Sequence, residues 1–357
     1  AVMISDLSWM PFKNISLDDP FFESLKDDYP GFDVWFKKKS LNGDKALVLL
    51  EEERIHAFLA LKDENEEIVL TGKIIPAIAR LKISTLKIDE KVGGQRLGEG
   101  LIGVALWHWQ KVGAEEIYVT IFEKQEKLIG LLKRFGFVCQ GCKVNGELVF
   151  LKSRKNLDYS DAYKAFPFLS PNAPKAGIIP IKDGFHDRLF PYSESYYANE
   201  IEGTTAGNGI TKVYIGTPYT ATHYTEGEIV GIYRIYDGAN KGSRSAITSF
   251  CTITKITFVK RNGRCLMTLD EYLANAGNKT VFSKDELSGI YRSFNVVMIE
   301  MVYNGFFDKG HNITYWQLKN KGLFESHPYN IDYSMNEMIE ILKLGGKDVG
   351  NIIIDKT

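Results

Sequence analysis

Cysteine is scarce in this chain: four residues in 357, at Cys139, Cys142, Cys251 and Cys265. Disulfide scaffolds are short, cysteine-dense and secreted, so this usage excludes one and points to reduced thiols. No apolar run approaches the length that carries a helix across a bilayer, which leaves no helical membrane span and no expected membrane partner. Neither sign of charge is in excess, with 44 Lys and Arg against 45 Asp and Glu. A slight basic lean after residue 150 is compatible with a nucleic-acid partner without arguing for one, because phosphate binders show a clear basic excess. The chain lacks Met at position 1, the mark of a trimmed or engineered terminus, and its start lacks a basic-then-apolar signal. The expectation is a cytoplasmic protein.

The length favours two domains over one core. Residues 3–10 read as a strand, 21–29 and 32–39 as helices, with Ser16 or Asp18 available to cap the first beside Pro20. Residues 46–50 and 55–61 flank the turn Glu51-Glu52-Glu53-Arg54 as a hairpin. After the polar loop 62–67 come a strand at 80–89, the glycine-bearing turn 93–100, an apolar helix ended by Gly113, a strand at 117–122 and a helix at 124–135. Two strands, 137–142 and 147–152, close on Val144-Asn145-Gly146, an Asn-Gly hairpin signal. This mixed order predicts a sheet covered by helices.

The turn has chemistry of its own. Leu86-Lys87-Ile88 runs as a strand into Gly93-Gly94-Gln95-Arg96-Leu97-Gly98-Glu99-Gly100, and a helix starts at once. Glycines permit close backbone approach, and the first amides and dipole of a helix favour negative charge; together they make a pyrophosphate cradle. Glycine patterns this short also recur as turns that bind nothing.

Residues 3–152 resemble the GNAT superfamily of acyl-CoA-dependent N-acetyltransferases in element order and in two motifs. Gln95-Arg96-Leu97-Gly98-Glu99-Gly100 matches the family's pyrophosphate loop literally. A second registration, preferred for the helix length it gives, puts Gly98 at the last glycine and Arg96 where the first is usual. Arg96 would there stand beside the phosphates or point into solvent. Leu131-Leu132-Lys133-Arg134-Phe135-Gly136-Phe137 resembles the family's Leu-Tyr-x-x-x-Gly-Phe segment, with Leu132 in place of the Tyr that often protonates the departing thiolate. Leucine gives no proton, so the acid must come from elsewhere. The resemblance implies acetyl-CoA held between the strands at 80–89 and 117–122, on the backbone of Leu86 and Ile88, on residues 93–100, and at Gln125, where Asn is usual. It implies direct attack by an amine on the thioester. Ser84, Thr85, Tyr118, Thr120 and Glu123 are near that wedge, and no spacing selects a catalytic base among them.

Other signals are weaker. Cys139-Gln140-Gly141-Cys142 is a lone CxxC without a second ligand pair, so no metal is expected. Trp107, His108 and Trp109 are adjacent on a helix and face different ways; packing explains them. His186 and His223 default to structural roles.

Residues 153–176 read as a proline-bearing linker, and 177–357 as a second domain with short strands at 177–181, 212–217, 228–236 and 246–260 and helices at 315–321 and 334–344. Its opening and these strands resemble a PUA-like β-barrel of the ASCH and EVE type, a group whose members bind RNA or modified nucleobases. Tyr192, Tyr196, Tyr197, Tyr219, Tyr224, Tyr233 and Tyr236 offer stacking faces, and Arg188, Arg234, Lys241 and Arg244 phosphate contacts. Tyrosine also favours strands regardless of ligands.

The expectation is therefore an α+β protein: a GNAT acyltransferase fold, a mixed sheet flanked by helices, at 1–152, followed by a PUA-like β-barrel with C-terminal helices. It would use acetyl-CoA to acetylate RNA, such as tRNA, or an RNA-linked amine. The alternatives are a protein or small-molecule amine acetyltransferase, and a non-catalytic acyl-CoA- or RNA-binding regulator. Oligomeric state is not legible.

Overall fold

The computed structural model describes residues 6–193, 205–219 and 222–354. The chain divides into two compact units, Ala1–Leu157 and Asp158–Thr357.

Unit 1 carries β1 (Leu7–Pro11), α1 (Glu23–Asp28), α2 (Phe32–Leu41), β2 (Lys45–Glu51), β3 (Arg54–Glu64), β4 (Ile68–Leu70), β5 (Lys73–Ile75), β6 (Arg80–Ile88), α3 (Leu97–Val112), β7 (Glu116–Ile121), α4 (Glu126–Arg134), β8 (Val138–Cys142) and β9 (Leu148–Ser153). Residues 3–5 of the expected first strand lie outside the described residues. The first helix begins later than expected, because Asp19, not Ser16 or Asp18, caps a 3-10 turn at Pro20–Phe22 that precedes it. The β4–β5 hairpin was not foreseen; it falls between the expected loop at 62–67 and the expected strand at 80–89.

Seven strands form one sheet in the order β1-β2-β3-β6-β7-β9-β8. All neighbours are antiparallel except β6 and β7. Alternation along β3 sends Phe58 and Ala60 to one face, where Phe12, Phe22, Phe32 and Phe36 pack with α1 and α2. Ile88, opposite Ala57, lies on the other face and meets the start of α3 at Gly98. Helix α3 buries Leu101, Ile102, Ala105, Leu106 and Trp109 and ends where Gly113 turns left-handed, φ 77°.

Unit 2 carries α5 (Ala162–Ala165), β10 (Ala176–Lys182), α6 (Asp183–Leu189), α7 (Thr205–Asn208), β11 (Thr211–Gly216), β12 (Ile229–Ile235), α8 (Lys241–Arg244), β13 (Ala246–Arg261), β14 (Arg264–Cys265), α9 (Leu269–Ala276), α10 (Lys284–Ile290), β15 (Val296–Phe306), β16 (Ile313–Thr314), α11 (Tyr315–Asn320), β17 (Asp332–Tyr333) and α12 (Met335–Leu344). Within the stretch that reads as a linker, Tyr163, Phe166, Phe168 and Leu169 are buried. Asn304 donates to the Pro167 and Phe168 carbonyls.

The sheet of unit 2 runs β11-β15-β13-β12-β10-β17, with β14 and β16 both on β13. Among the described residues this path is open, since β11 and β17 end it without pairing each other, so the barrel expected from the sequence does not close. Three register shifts between β13 and β15 bend the longest strand. Strand β15 escapes a sequence reading because it is buried on both faces and shows no alternation. Helices α9, α10, α11 and α12 each begin with a full capping box, at Thr268/Glu271, Ser283/Glu286, Thr314/Gln317 and Ser334/Glu337.

Candidate active site

The parallel ladder between β6 and β7 is short. It runs from Arg80↔Glu116 to Ile83↔Val119 and stops there, although both strands continue. Beyond that point β6 follows β3, with Thr85 opposite Ala60 and Ile88 opposite Ala57. Strand β7 follows β9, with Ile121 opposite Leu148. A bulge marks the parting: Ala60 pairs with Thr85 and Leu61 with Ile83, leaving Ser84 as the extra residue. The two strands therefore diverge into a wedge, with α3 starting after one and α4 after the other.

The sequence-derived cofactor residues gather at this wedge. Leu86 and Ile88 lie half-buried on β6 past the last pair with β7. Asp89 caps a 3-10 turn at Glu90–Val92 by accepting from the Lys91 amide. Gly93 and Gly94 follow as exposed loop, Gly94 at φ 78°. Gln95 and Arg96 are half-buried, while Leu97, Glu99 and Gly100 are buried in the first turn of α3. The first helical bond runs from the Gly100 amide to the Arg96 carbonyl, so the amides ahead of it point out of the helix end. A Cβ on Gly98 would lie 3.0 Å from Leu131 and 3.4 Å from Ile88, so glycine lets α3 sit close to α4 and β6 without displacing either side chain. Gln125 is exposed at the start of α4 with no side-chain cap bond.

Arg96 adopts φ 61°, ψ 17°, a backbone conformation that glycine takes more readily. Its guanidinium donates to the buried carboxylate of Glu99 at 2.8 Å, with Arg134 at 4.0 Å from the other oxygen. The side chain is thus turned onto its own helix and not out into solvent. Leu132 is wholly buried, so the segment that often brings a phenol to the thiolate brings packing instead.

Of the polar residues expected near the wedge, Tyr118 is buried, donates to Glu64 and has its pKa raised by burial and then by that carboxylate. Lys82, opposite it, is pushed below the usual lysine range by burial. Glu123 is exposed. The most organised group is one the sequence reading missed. Tyr29, in the link between α1 and α2, donates to Glu147 Oε2 at 2.9 Å, and Asn145 donates to Glu147 Oε1 at 2.7 Å. Tyr29 packs on Phe122 with ring centroids 5.3 Å apart. The Asn-Gly turn was the available signal for Glu147, which lies between that turn and β9; nothing in the spacing tied Tyr29 to it.

Elsewhere, Cys139 and Cys142 are exposed thiols on β8. Among the described residues no group of three His, Cys, Asp or Glu side chains is placed to hold a metal. His108, its pKa lowered by burial, packs against Trp9, and Trp109 is fully buried under Arg154.

In unit 2 the structure corrects part of the expected RNA surface. Arg234 is 1% exposed and forms a two-pronged pair with Asp187, both N···O distances 2.9 Å, so it offers no phosphate contact. Tyr233 lies in the core, its pKa pushed up to about 12 by burial. Tyr224 is spent on the Ile178 carbonyl and His223. Tyr196 and Tyr197 lie outside the described residues. What stays at the surface is Tyr219, fully exposed, with Lys241 and the Tyr236–Arg244 pair, whose guanidinium bonds the phenol at 3.0 Å. Arg188 lies over Phe185, and Tyr192 packs against Tyr303 and Phe306. His186 is buried between Asp187 and Thr248, and His223 bonds Asp332 and the Tyr329 carbonyl.

No protein-family model matches the chain, and no curated protein matches it. Solved structures similar to parts of it include an N-acetyltransferase, PaiA, from Thermoplasma acidophilum in complex with coenzyme A. That alignment has 14% identity, TM-score 0.30, and covers 41% of this chain and 98% of that one. A mutant AtaT toxin aligns at 18% identity and TM-score 0.30, covering 42% of this chain and 92% of its own. A mutant ZmASCH protein from Zymomonas mobilis aligns at 8% and 0.32, covering 47% and 97%. Overlaps at these scores do not bear on activity.

Proposed function

We propose that unit 1 is an acetyl-CoA-dependent N-acetyltransferase in which an acceptor amine attacks the thioester directly. The parting of β6 from β7 at Ile83 and Val119 carries this reading, because it opens a sheet edge between two strands and aims two helix starts at the opening. A cofactor with a pyrophosphate and an amide-bearing arm fits both features. The arm would add to the backbone of Leu86 and Ile88 as an extra strand does, beside Gln125. The phosphates would meet amides of the turn between residues 93 and 100, where Gly93 and Gly100 already donate to the Glu90 and Arg96 carbonyls and Gly98 lets α3 begin close against α4 and β6. Acetyl-CoA supplies the activated acetyl group; the protein supplies position and a place for the amine's proton.

For unit 2 we propose RNA binding, with RNA or an RNA-linked amine as the acceptor. The exposed Tyr219 and the Tyr236–Arg244–Lys241 surface support it, pairing aromatic faces with cations. Incubation with labelled acetyl-CoA and total RNA tests both parts. Label in RNA supports the acceptor. Label only in protein or small amines removes RNA while leaving the transferase, and no acetyl-CoA binding at millimolar concentration by calorimetry sinks the cofactor reading itself.

A further inference from the structure

We infer that Tyr29 and Glu147 are the proton relay of this transferase, a proposal that rests on the acetyltransferase reading. Pairing fixes their side of the sheet. Lys82 is opposite Tyr118, Tyr118 opposite Leu151, and Thr120 opposite Val149. Continuing that alternation puts Phe122 and Glu147 on the same face, one step beyond the end of the β7–β9 ladder. It is the face packed by α1 and α2, whose link supplies Tyr29. On the far side of the wedge the same face carries Thr85 and Lys87, and Lys87 is tied to the Phe21 carbonyl ahead of α1. Tyr29 thus stands at the mouth of the opening, over Phe122, with its hydroxyl hydrogen aimed at Glu147.

Glu147 is 4% exposed, and both its oxygens accept a hydrogen bond, from Tyr29 and from Asn145. Its own amide donates to the Asn145 side chain, and its carbonyl accepts from the Lys143 amide, so the hairpin holds the carboxylate still. A carboxylate this enclosed reaches an acceptor through Tyr29. The phenol donates to Glu147, so its oxygen is left to accept, as a relay requires.

The step balances as follows. The neutral amine nitrogen bonds to the thioester carbonyl carbon, and the carbon–sulfur bond breaks, releasing the coenzyme as thiolate. The nitrogen's surplus proton passes to the Tyr29 oxygen while the Tyr29 proton passes to Glu147. Solvent then protonates the thiolate, and Glu147 returns its proton to water by the same path. Charged groups near enough to bias the pair are Asp28 from α1, beside Tyr29, and Lys82 from β6, beside Glu147.

The test follows release of coenzyme thiol from acetyl-CoA with spermidine and with aminoacylated bulk tRNA, alongside calorimetry with acetyl-CoA. In Tyr29→Phe and Glu147→Gln, kcat/KM should fall roughly 10²- to 10³-fold while acetyl-CoA affinity stays within two-fold. The double variant should be no worse than either single, as for residues acting as one unit. Glu147→Asp should recover part of the rate lost in Glu147→Gln. A Glu147→Gln protein that keeps a third of wild-type kcat/KM overturns the relay, as do additive losses in the double variant. Wild-type protein that binds acetyl-CoA but releases no thiol above the protein-free rate with either acceptor also overturns it and leaves the cofactor reading standing. Absence of acetyl-CoA binding removes both.

Discussion

Arg96 and Glu99 are three residues apart at the start of α3, and the guanidinium of the first donates to the buried carboxylate of the second at 2.8 Å. The pair holds a left-handed non-glycine residue in the turn and neutralises a carboxylate that is 6% exposed. Arg96→Gly removes the partner of that carboxylate, a loss of about 3 kcal/mol, and relieves about 1 kcal/mol of backbone strain. The variant should therefore be less stable by about 2 kcal/mol in urea unfolding, with Arg134 limiting the loss. Acetyl-CoA affinity should change less than three-fold, since the guanidinium is already engaged. A ten-fold loss of affinity at unchanged stability would mean that Arg96 serves the phosphates instead.

Gly98 separates crowding from charge. Gly98→Ala sets a methyl 3.0 Å from a Leu131 methyl, so the flexible leucine must shift by a few tenths of an ångström. A small loss in melting temperature and a few-fold loss in acetyl-CoA affinity should follow. Gly98→Asp directs a carboxylate toward Leu131 and Ile88 at the same helix start, adding negative charge beside the proposed phosphate site, and its affinity should fall by 10² or more beyond the alanine variant in calorimetry. Equal affinity for the two would show that these amides do not meet the pyrophosphate.

One side of the wedge was legible because its parts are local: a strand, a glycine turn and a helix start occupy residues 80–112 without interruption, whereas its parting from β7 was expected only from the family resemblance. Gly113 and Gly136, both left-handed, end helices where the sequence puts the stops. What was missed depends on residues remote in the chain. Tyr29 and Glu147 are 118 positions apart and meet only because the sheet order brings the β8–β9 turn beneath the α1–α2 link. In unit 2, Arg234 and Tyr233 looked like surface chemistry, yet β12 is a central strand and both its faces are buried. Strand β15 hid for the same reason. The four capping boxes were visible as Ser or Thr followed three residues later by Glu or Gln, and reading them would have found α9 and α10.

His186 makes the stability of unit 2 depend on pH. Burial is the largest influence and lowers its pKa, with Asp187 opposing and Arg234 adding to the fall. The unfolded chain then binds a proton that the folded one refuses, so stability rises with pH across this range. It should be fully present above the ordinary histidine value of about 6.5 and fall as pH drops below it. Glu228, its pKa raised by its own burial, contributes with the opposite sign. Urea midpoints between pH 5 and pH 7.5 should rise with pH, and the rise should shrink in His186→Gln. An identical slope in the variant would assign the dependence to another group.

Lys241 and Arg244 should carry phosphate contacts if unit 2 binds RNA, whereas Arg234 should not. Each phosphate contact releases a counterion, and its removal lowers the slope of log affinity against log salt by roughly 0.7 to 0.9. Anisotropy titrations of labelled bulk tRNA across a salt series should therefore give Lys241→Ala/Arg244→Ala a slope shallower by one to two contacts. Arg234→Ala should leave the slope unchanged while lowering the unfolding midpoint, because it strands the buried Asp187 carboxylate. A slope that shifts with Arg234 and not with Lys241 and Arg244 would place the RNA surface on the side of β12 that is core in this structure. Wild-type protein with no salt-dependent binding would remove RNA from unit 2 and return the acceptor to proteins or small amines.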